Sequence, residues 1–174
     1  MITKTALLVI DAQVNMFDES FQIYQADRII STISGLIEKA RSSKVPVIYL
    51  RNNGPVGEPD EPDTPGWEIH PAFAPKGDEI VIDKFTSDSF HETELKVEPD
   101  KLGIQRLLIT GMQTEMCVNT TARKAVELGY EVTLVRDGHS TFDFEDAKAV
   151  DTINRINKEL SEFAQIVISE SVEF

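Results

Sequence analysis

Short apolar runs alternate along this chain with segments whose apolar residues recur at steps of three and four. Residues 6–10 (ALLVI) are continuously apolar up to Asp11, which predicts a strand buried on both faces. Residues 27–41 set Ile29, Ile30, Ile33, Leu36, Ile37 and Ala40 on one stripe, the signature of an amphipathic helix. Further strands are predicted at 45–50 (VPVIYL), 79–82 (EIVI), 106–110 (RLLIT), 130–135 and 165–168. Thr114 reads as the N-cap of a helix over 115–128 that Gly129 ends. Residues 145–163 carry Ala149, Ile153, Ile156, Leu160 and Phe163 at alternating steps of four and three, predicting a long helix.

This order predicts an α/β fold, with a mainly parallel sheet covered by helices on both faces. Such sheets hold ligands at the carboxyl ends of their strands, where the strand order reverses. No repeat or linker interrupts the pattern, so residues 1–174 are expected to form one domain. Residues 51–78 break the rhythm. A loop of that length is uncommon in a compact domain and often carries function. Its middle, with Glu58, Asp60, Glu61 and Asp63, reads as a solvated acidic excursion. Residues 66–73 (GWEIHPAF) mix bulky apolar groups with a titratable one and are expected to form a lid or pocket wall.

Composition narrows the function. Thirty acidic residues against 17 basic ones leave a formal charge of −13, which disfavours nucleic acid and anionic membrane surfaces as partners. No apolar run approaches the ~20 residues of a membrane span, and the first residues lack a signal-peptide layout, so a cytoplasmic location is expected. One cysteine excludes an intrachain disulfide framework and a thiolate zinc finger. No glycine-rich phosphate loop or dinucleotide fingerprint is present.

Three residues sit where such a sheet would place chemistry. Asp11 closes the first strand, Lys84 follows the strand at 79–82, and Cys117 lies in the first turn of the helix after the strand at 106–110. A carboxylate after five apolar residues is costly to bury without a partner. A thiol at a helix N-terminus beside an ammonium is expected to favour the thiolate. A carboxylate beside both would take the thiol proton and later activate water. The trio suits acyl transfer from a small amide or ester. Taken singly, each residue also fits a structural role: a core cysteine, a capping aspartate, a surface lysine.

With these motifs on the page, the chain resembles the isochorismatase-like cysteine hydrolases, which include nicotinamidases, carbamoylsarcosine amidases and ureidoacrylate or biuret-type amidohydrolases. Residues 7–17 (LLVIDAQVNMF), 81–90 (VIDKFTSDSF) and 109–118 (ITGMQTEMCV) carry the match, in order and spacing. The resemblance implies a three-layer α/β/α sandwich with a six-stranded, Rossmann-like sheet. It implies a catalytic triad of Cys117, Asp11 and Lys84, and a cis peptide at Met112–Gln113. It further implies an oxyanion hole from the backbone N–H groups of Gln113 and Cys117, and a thioester intermediate in C–N bond hydrolysis. Self-association into a dimer or tetramer is a further implication. Pocket candidates are Gln13, Phe17, Trp67 and His70, with Gln113.

One departure bears on substrate. Nicotinamidases carry Asp-x-His metal ligands after the second strand, where this chain reads Arg51-Asn52-Asn53. No metal or other cofactor is expected, and nicotinamide is disfavoured. The rival reading is a non-catalytic binding or redox-sensing module on the same fold. A phosphoryl-acceptor role for Asp11 is weaker, because Asp11-Ala12-Gln13 supplies one carboxylate where a magnesium site wants several.

Overall fold

A computed structural model of the chain describes residues 4–174. Six strands form one sheet: β1 (Thr5–Ile10), β2 (Val47–Asn52), β3 (Ile80–Lys84), β4 (Arg106–Met112), β5 (Glu131–Ser140) and β6 (Gln165–Val167). Their spatial order is β3-β2-β1-β4-β5-β6, and every neighbouring pair is parallel. The helices are α1 (Ala26–Ser42), α2 (Val97–Leu102), α3 (Asn119–Glu127) and α4 (Ala149–Leu160).

Strand β1 shows why the sheet needs two covers. Leu7 and Val9 pack into one apolar cluster with Ile29, Ile33, Leu36 and Ile37 of α1. Ala6, Leu8 and Ile10 point the other way, into a cluster with Ala122 and Ala125 of α3 and Ile156 and Leu160 of α4. Successive side chains of a strand alternate between faces, so an unbroken apolar run demands a helix layer on each side. Each fully buried Leu or Ile contributes roughly 1.5–3 kcal/mol of transfer free energy.

Several boundaries differ from the expected ones. Lys84 is the last residue of β3 rather than a residue beyond it. Strand β5 runs on to Ser140, because a register shift lets Gly111 and Met112 pair with His139 and Ser140 past the polar Arg136 and Asp137. The predicted helix at 115–128 is two pieces. Residues Thr114–Val118 form a wide turn in which the Val118 N–H reaches the Gln113 carbonyl (3.2 Å), and α3 follows. Thr114 is therefore not the N-cap; that place falls to Gln113, which makes no side-chain cap bond. Helix α4 is shorter than residues 145–163, and the Asp143 carboxylate receives the Ala149 N–H (2.8 Å) at its start. The pattern gave no sign of α2, a six-residue helix with Pro99 buried.

The chain lays down β1, β2 and β3 outward in one direction, then returns to place β4 against the other side of β1. The order thus reverses between β1 and β4, and a crevice opens there at the carboxyl edge.

Candidate active site

Gly111 brings the two switch strands together. It pairs with Ile10, and a Cβ on it would lie 2.0 Å from the Ile10 carbonyl oxygen. Its φ of +120° is also closed to ordinary L residues. One residue further on, the Met112–Gln113 peptide bond is cis. Across the crevice, Asp11 leaves β1 with φ at +47°, a left-handed conformation that Asp tolerates better than most residues. That turn places the carboxylate at the end of the strand, where it is 1% exposed.

Lys84 organises the centre. It is 0% exposed, and its Nζ donates to Asp11 Oδ2 (2.8 Å), Asn52 Oδ1 (3.2 Å) and the Thr86 carbonyl (3.2 Å). Cys117 Sγ lies 3.3 Å from the same nitrogen. Three strand ends and the turn after β4 therefore bring Asp11, Lys84 and Cys117 into one contact group. The turn after β3 is held in turn by α3: Thr121 Oγ1 contacts Ser89 Oγ (2.7 Å) and the Ser87 carbonyl (3.3 Å).

The electrostatics correct one expectation. Burial and the neighbouring Asp11 charge push the Cys117 thiol up to about 12, and Lys84 only partly opposes them. This direction favours the thiol form of Cys117, against the thiolate anticipated from a helix terminus. Burial also raises Asp11 above the ordinary carboxylate value, against the pull of Lys84; the Asp60 charge adds to the rise. Burial disfavours the Lys84 ammonium, but Asp11 and Cys117 hold its pKa above the usual lysine value. Burial thus raises both acids of the group, Asp11 and Cys117, while their contacts with Lys84 pull the other way. Asp11 Oδ2 is occupied by Lys84, while Oδ1 is buried with no hydrogen-bond partner. That free oxygen is the site left for a proton.

A second polar set steadies the turn at Thr114–Val118. His139, 1% exposed, contacts Thr114 Oγ1 through Nδ1 (2.9 Å) and Asn157 Oδ1 through Nε2 (3.1 Å). Burial lowers its pKa to about 4, so it sits neutral, with Nε2 the protonated nitrogen that the Asn157 oxygen requires. Asp137 accepts the Ser169 N–H (2.8 Å) and hydroxyl (2.7 Å), a structural tie to the chain after β6. His91 is exposed.

The crevice above Cys117 is a cavity of about 450 Å³. Asn15, Asn52, Glu58 and Asp60 line its polar side, and Phe21, Phe85, Met116 and Phe142 its apolar side. Gln113 also borders it. The other pocket candidates do not. Gln13 is buried as a strut: its Nε2 donates to the carbonyls of Asn52 (3.0 Å) and Trp67 (2.9 Å), and its Oε1 accepts the Asn52 N–H (2.8 Å). Phe17 packs on His70 and Phe73, with ring centroids 4.8 and 5.7 Å away. His70 Nδ1 caps the short turn at Pro71–Phe73. Trp67 lies under the Arg51 guanidinium, 3.5 Å from its ring centroid, and donates to Asn53 Oδ1 (2.6 Å).

The residues that replace them were missed for identifiable reasons. Asn52 ends β2, and the strand-end rule alone would have found it. Glu58 and Asp60 carry no local signal, since a surface excursion and a pocket wall have the same composition. Among the described residues, no group of three or more His, Cys, Asp or Glu is placed to hold a metal ion. No helix of the described residues is long and apolar enough to cross a membrane.

The chain was then compared with known proteins. The family model described as the isochorismatase domain matches residues 5–166. A streptothricin hydrolase of Streptomyces noursei is 38% identical over 149 residues, covering 85% of this chain. The chain spans only 54% of that relative's length. Nicotinamidase 3 of Arabidopsis thaliana is 30% identical over 154 residues, covering 80% of this chain and 75% of the relative. The crystal structure of an isochorismatase from Pseudomonas putida KT2440 superposes with a TM-score of 0.91 at 29% identity, covering 98% of this chain and 90% of that one. The fold, the match over most of the chain and these relatives agree: this chain belongs to the isochorismatase family of hydrolases.

Proposed function

We propose that the protein hydrolyses an amide-type C–N bond of a small molecule through a thioester on Cys117, with Asp11 as proton carrier and Lys84 as the organising cation. The observation that carries this reading is one buried ammonium within 3.3 Å of both the Asp11 carboxylate and the Cys117 sulfur. Nicotinamidase 3, as its name states, is an amidase among the relatives.

As Cys117 Sγ bonds to the substrate carbonyl carbon, its proton passes to Asp11, and the carbonyl π electrons move onto oxygen. The backbone N–H groups of Gln113 and Cys117 are assigned to that oxyanion. The C–N bond then breaks, Asp11 protonates the departing nitrogen, and the thioester remains. Water attacks next, gives its proton to Asp11, and the thiol is regenerated with release of the acid. A thiol pushed up to about 12 makes attack depend on this transfer to Asp11. Written this way, the reaction needs no metal. The same raised pKa disfavours a redox-sensing role, which calls for a low-pKa thiolate. The family resemblance also supports a homo-oligomer, dimer or tetramer, which light scattering would establish.

The test is ammonia release from a panel of small primary amides, combined with mass spectrometry of quenched reactions. Cys117→Ala is expected to lower turnover by at least about a thousandfold with the fold intact. Wild type is expected to carry an acyl adduct on the Cys117 peptide. A Cys117→Ala protein that keeps substantial turnover would overturn the mechanism.

A further inference from the structure

The described residues lining the Cys117 cavity include three carboxylates, Asp11, Glu58 and Asp60, and no lysine, arginine or histidine. Lys84 lies beneath, fully buried and ion-paired with Asp11 (2.8 Å), so these two charges largely offset each other and leave Glu58 and Asp60 to set the sign of the cavity. Asp60 spends Oδ2 on the Asn52 side-chain amide (2.7 Å) and forms no ion pair. Glu58 is exposed and has no cation partner either.

Two buried acceptors in the same cavity lack partners, Asp11 Oδ1 and Asn15 Oδ1. Asp11 Oδ1 is taken by the thiol proton in the mechanism above, which leaves Asn15 Oδ1 as the buried acceptor without a partner beside the cavity. Aromatic faces line the same cavity. Phe85 is 74% exposed and Phe21 57%, the latter stacked on Phe142 with centroids 4.6 Å apart. Aromatic faces and carboxylates both attract cations, and the net charge of −13 extends that attraction beyond the cavity.

We propose that the substrate is a cation: an amide bearing a protonated amine, held between the Glu58 and Asp60 carboxylates and the Phe21 and Phe85 rings while its carbonyl meets Cys117. This rests on the amidase reading for its chemistry but not for its electrostatics. A bound ammonium also screens Asp60 from Asp11 and makes the base easier to ionise. An anionic substrate meets the Glu58 and Asp60 carboxylates and finds no cation among the described lining residues.

The field can be read without turnover, because the chain has one cysteine. Cys117 is modified with a trimethylammonium-ethyl and a sulfonatoethyl methanethiosulfonate, each rate normalised to that of a free thiol. The cationic reagent is expected to react about tenfold faster at low ionic strength. The ratio should fall toward one in 0.5 M salt (about a 4 Å Debye length) and in the Glu58→Gln/Asp60→Asn double variant. Equal rates at low salt, or a faster anionic reagent, would overturn the proposal. A ratio untouched by salt and by the double variant would do the same.

In parallel, 5-aminopentanamide, hexanamide and adipic acid monoamide present the same chain with positive, neutral and negative ends. The cationic amide is expected to have the highest kcat/KM, and preference for either other amide would count against the proposal. If none is hydrolysed while the reagent ratio persists, the amidase reading fails and the cation site stands.

Discussion

The two halves of residues 51–78 invite comparison, because their roles are the reverse of what composition suggests. The aromatic half, around Trp67, His70 and Phe73, is a structural strut. Phe73 is 0% exposed, Gln13 pairs with Ile69 as an isolated antiparallel bridge, and Arg51 covers Trp67. The acidic half, around Glu58 and Asp60, faces the cavity. Gly66 joins them: a Cβ there would lie 2.1 Å from the Pro59 carbonyl oxygen, so one half seats the other. The lesson is that large apolar groups in a long loop are first claimed by packing. Charged groups, which gain nothing from burial, are left at the surface of the cavity.

That division predicts opposite mutational signatures. Phe73→Ala is expected to cost about 3–5 kcal/mol in urea unfolding. The charge selectivity at Cys117 should persist in the folded fraction; its loss would show that the strut also shapes the cavity directly. Gln13→Ala removes three hydrogen bonds inside the same strut. A loss of about 1–3 kcal/mol is expected, with lower kcat because Asn52 no longer holds Lys84 as firmly. Unchanged kcat would separate Asn52 from catalysis.

The acidic half should respond in pH and selectivity rather than stability. In the proposed mechanism Asp11 must be ionised to accept the thiol proton, so kcat/KM is expected to fall as pH drops through its raised pKa. Asp60→Asn removes a like charge and is expected to move that acid limb to lower pH. A limb that stays in place would leave Asp60 without an electrostatic role. The smallest stability change is expected for Glu58→Gln, within about 0.5 kcal/mol, while it lowers the preference of Cys117 for cationic reagents. A melting shift well beyond that would assign Glu58 to the strut.

Much of the fold was legible in the sequence because its signals are local. The run at 6–10, the stripe at 27–41 and the turn glycines each depend on neighbours within a few positions. The strand-end rule then put Asp11, Lys84 and Cys117 on one edge before any coordinates, and the motifs at 7–17, 81–90 and 109–118 implied the family. The extension of β5 past Arg136 was hidden, because it depends on a register shift against β4.

What the sequence determined by itself was the layering of the sheet and the placement of Asp11, Lys84 and Cys117 at strand ends and in the turn after β4, since local patterning settles both. Only the tertiary structure decided the state of the thiol and the wall of the cavity. Burial beside Asp11 outweighs a helix terminus in setting the Cys117 pKa, and burial is a property of the packed molecule. The fold-back of residues 51–78 depends on Gly66 meeting Pro59 and on Gln13 reaching Asn52 and Trp67, contacts between residues distant in sequence. No periodicity encodes such contacts, so the acids that line the cavity appear only once the chain has closed on itself.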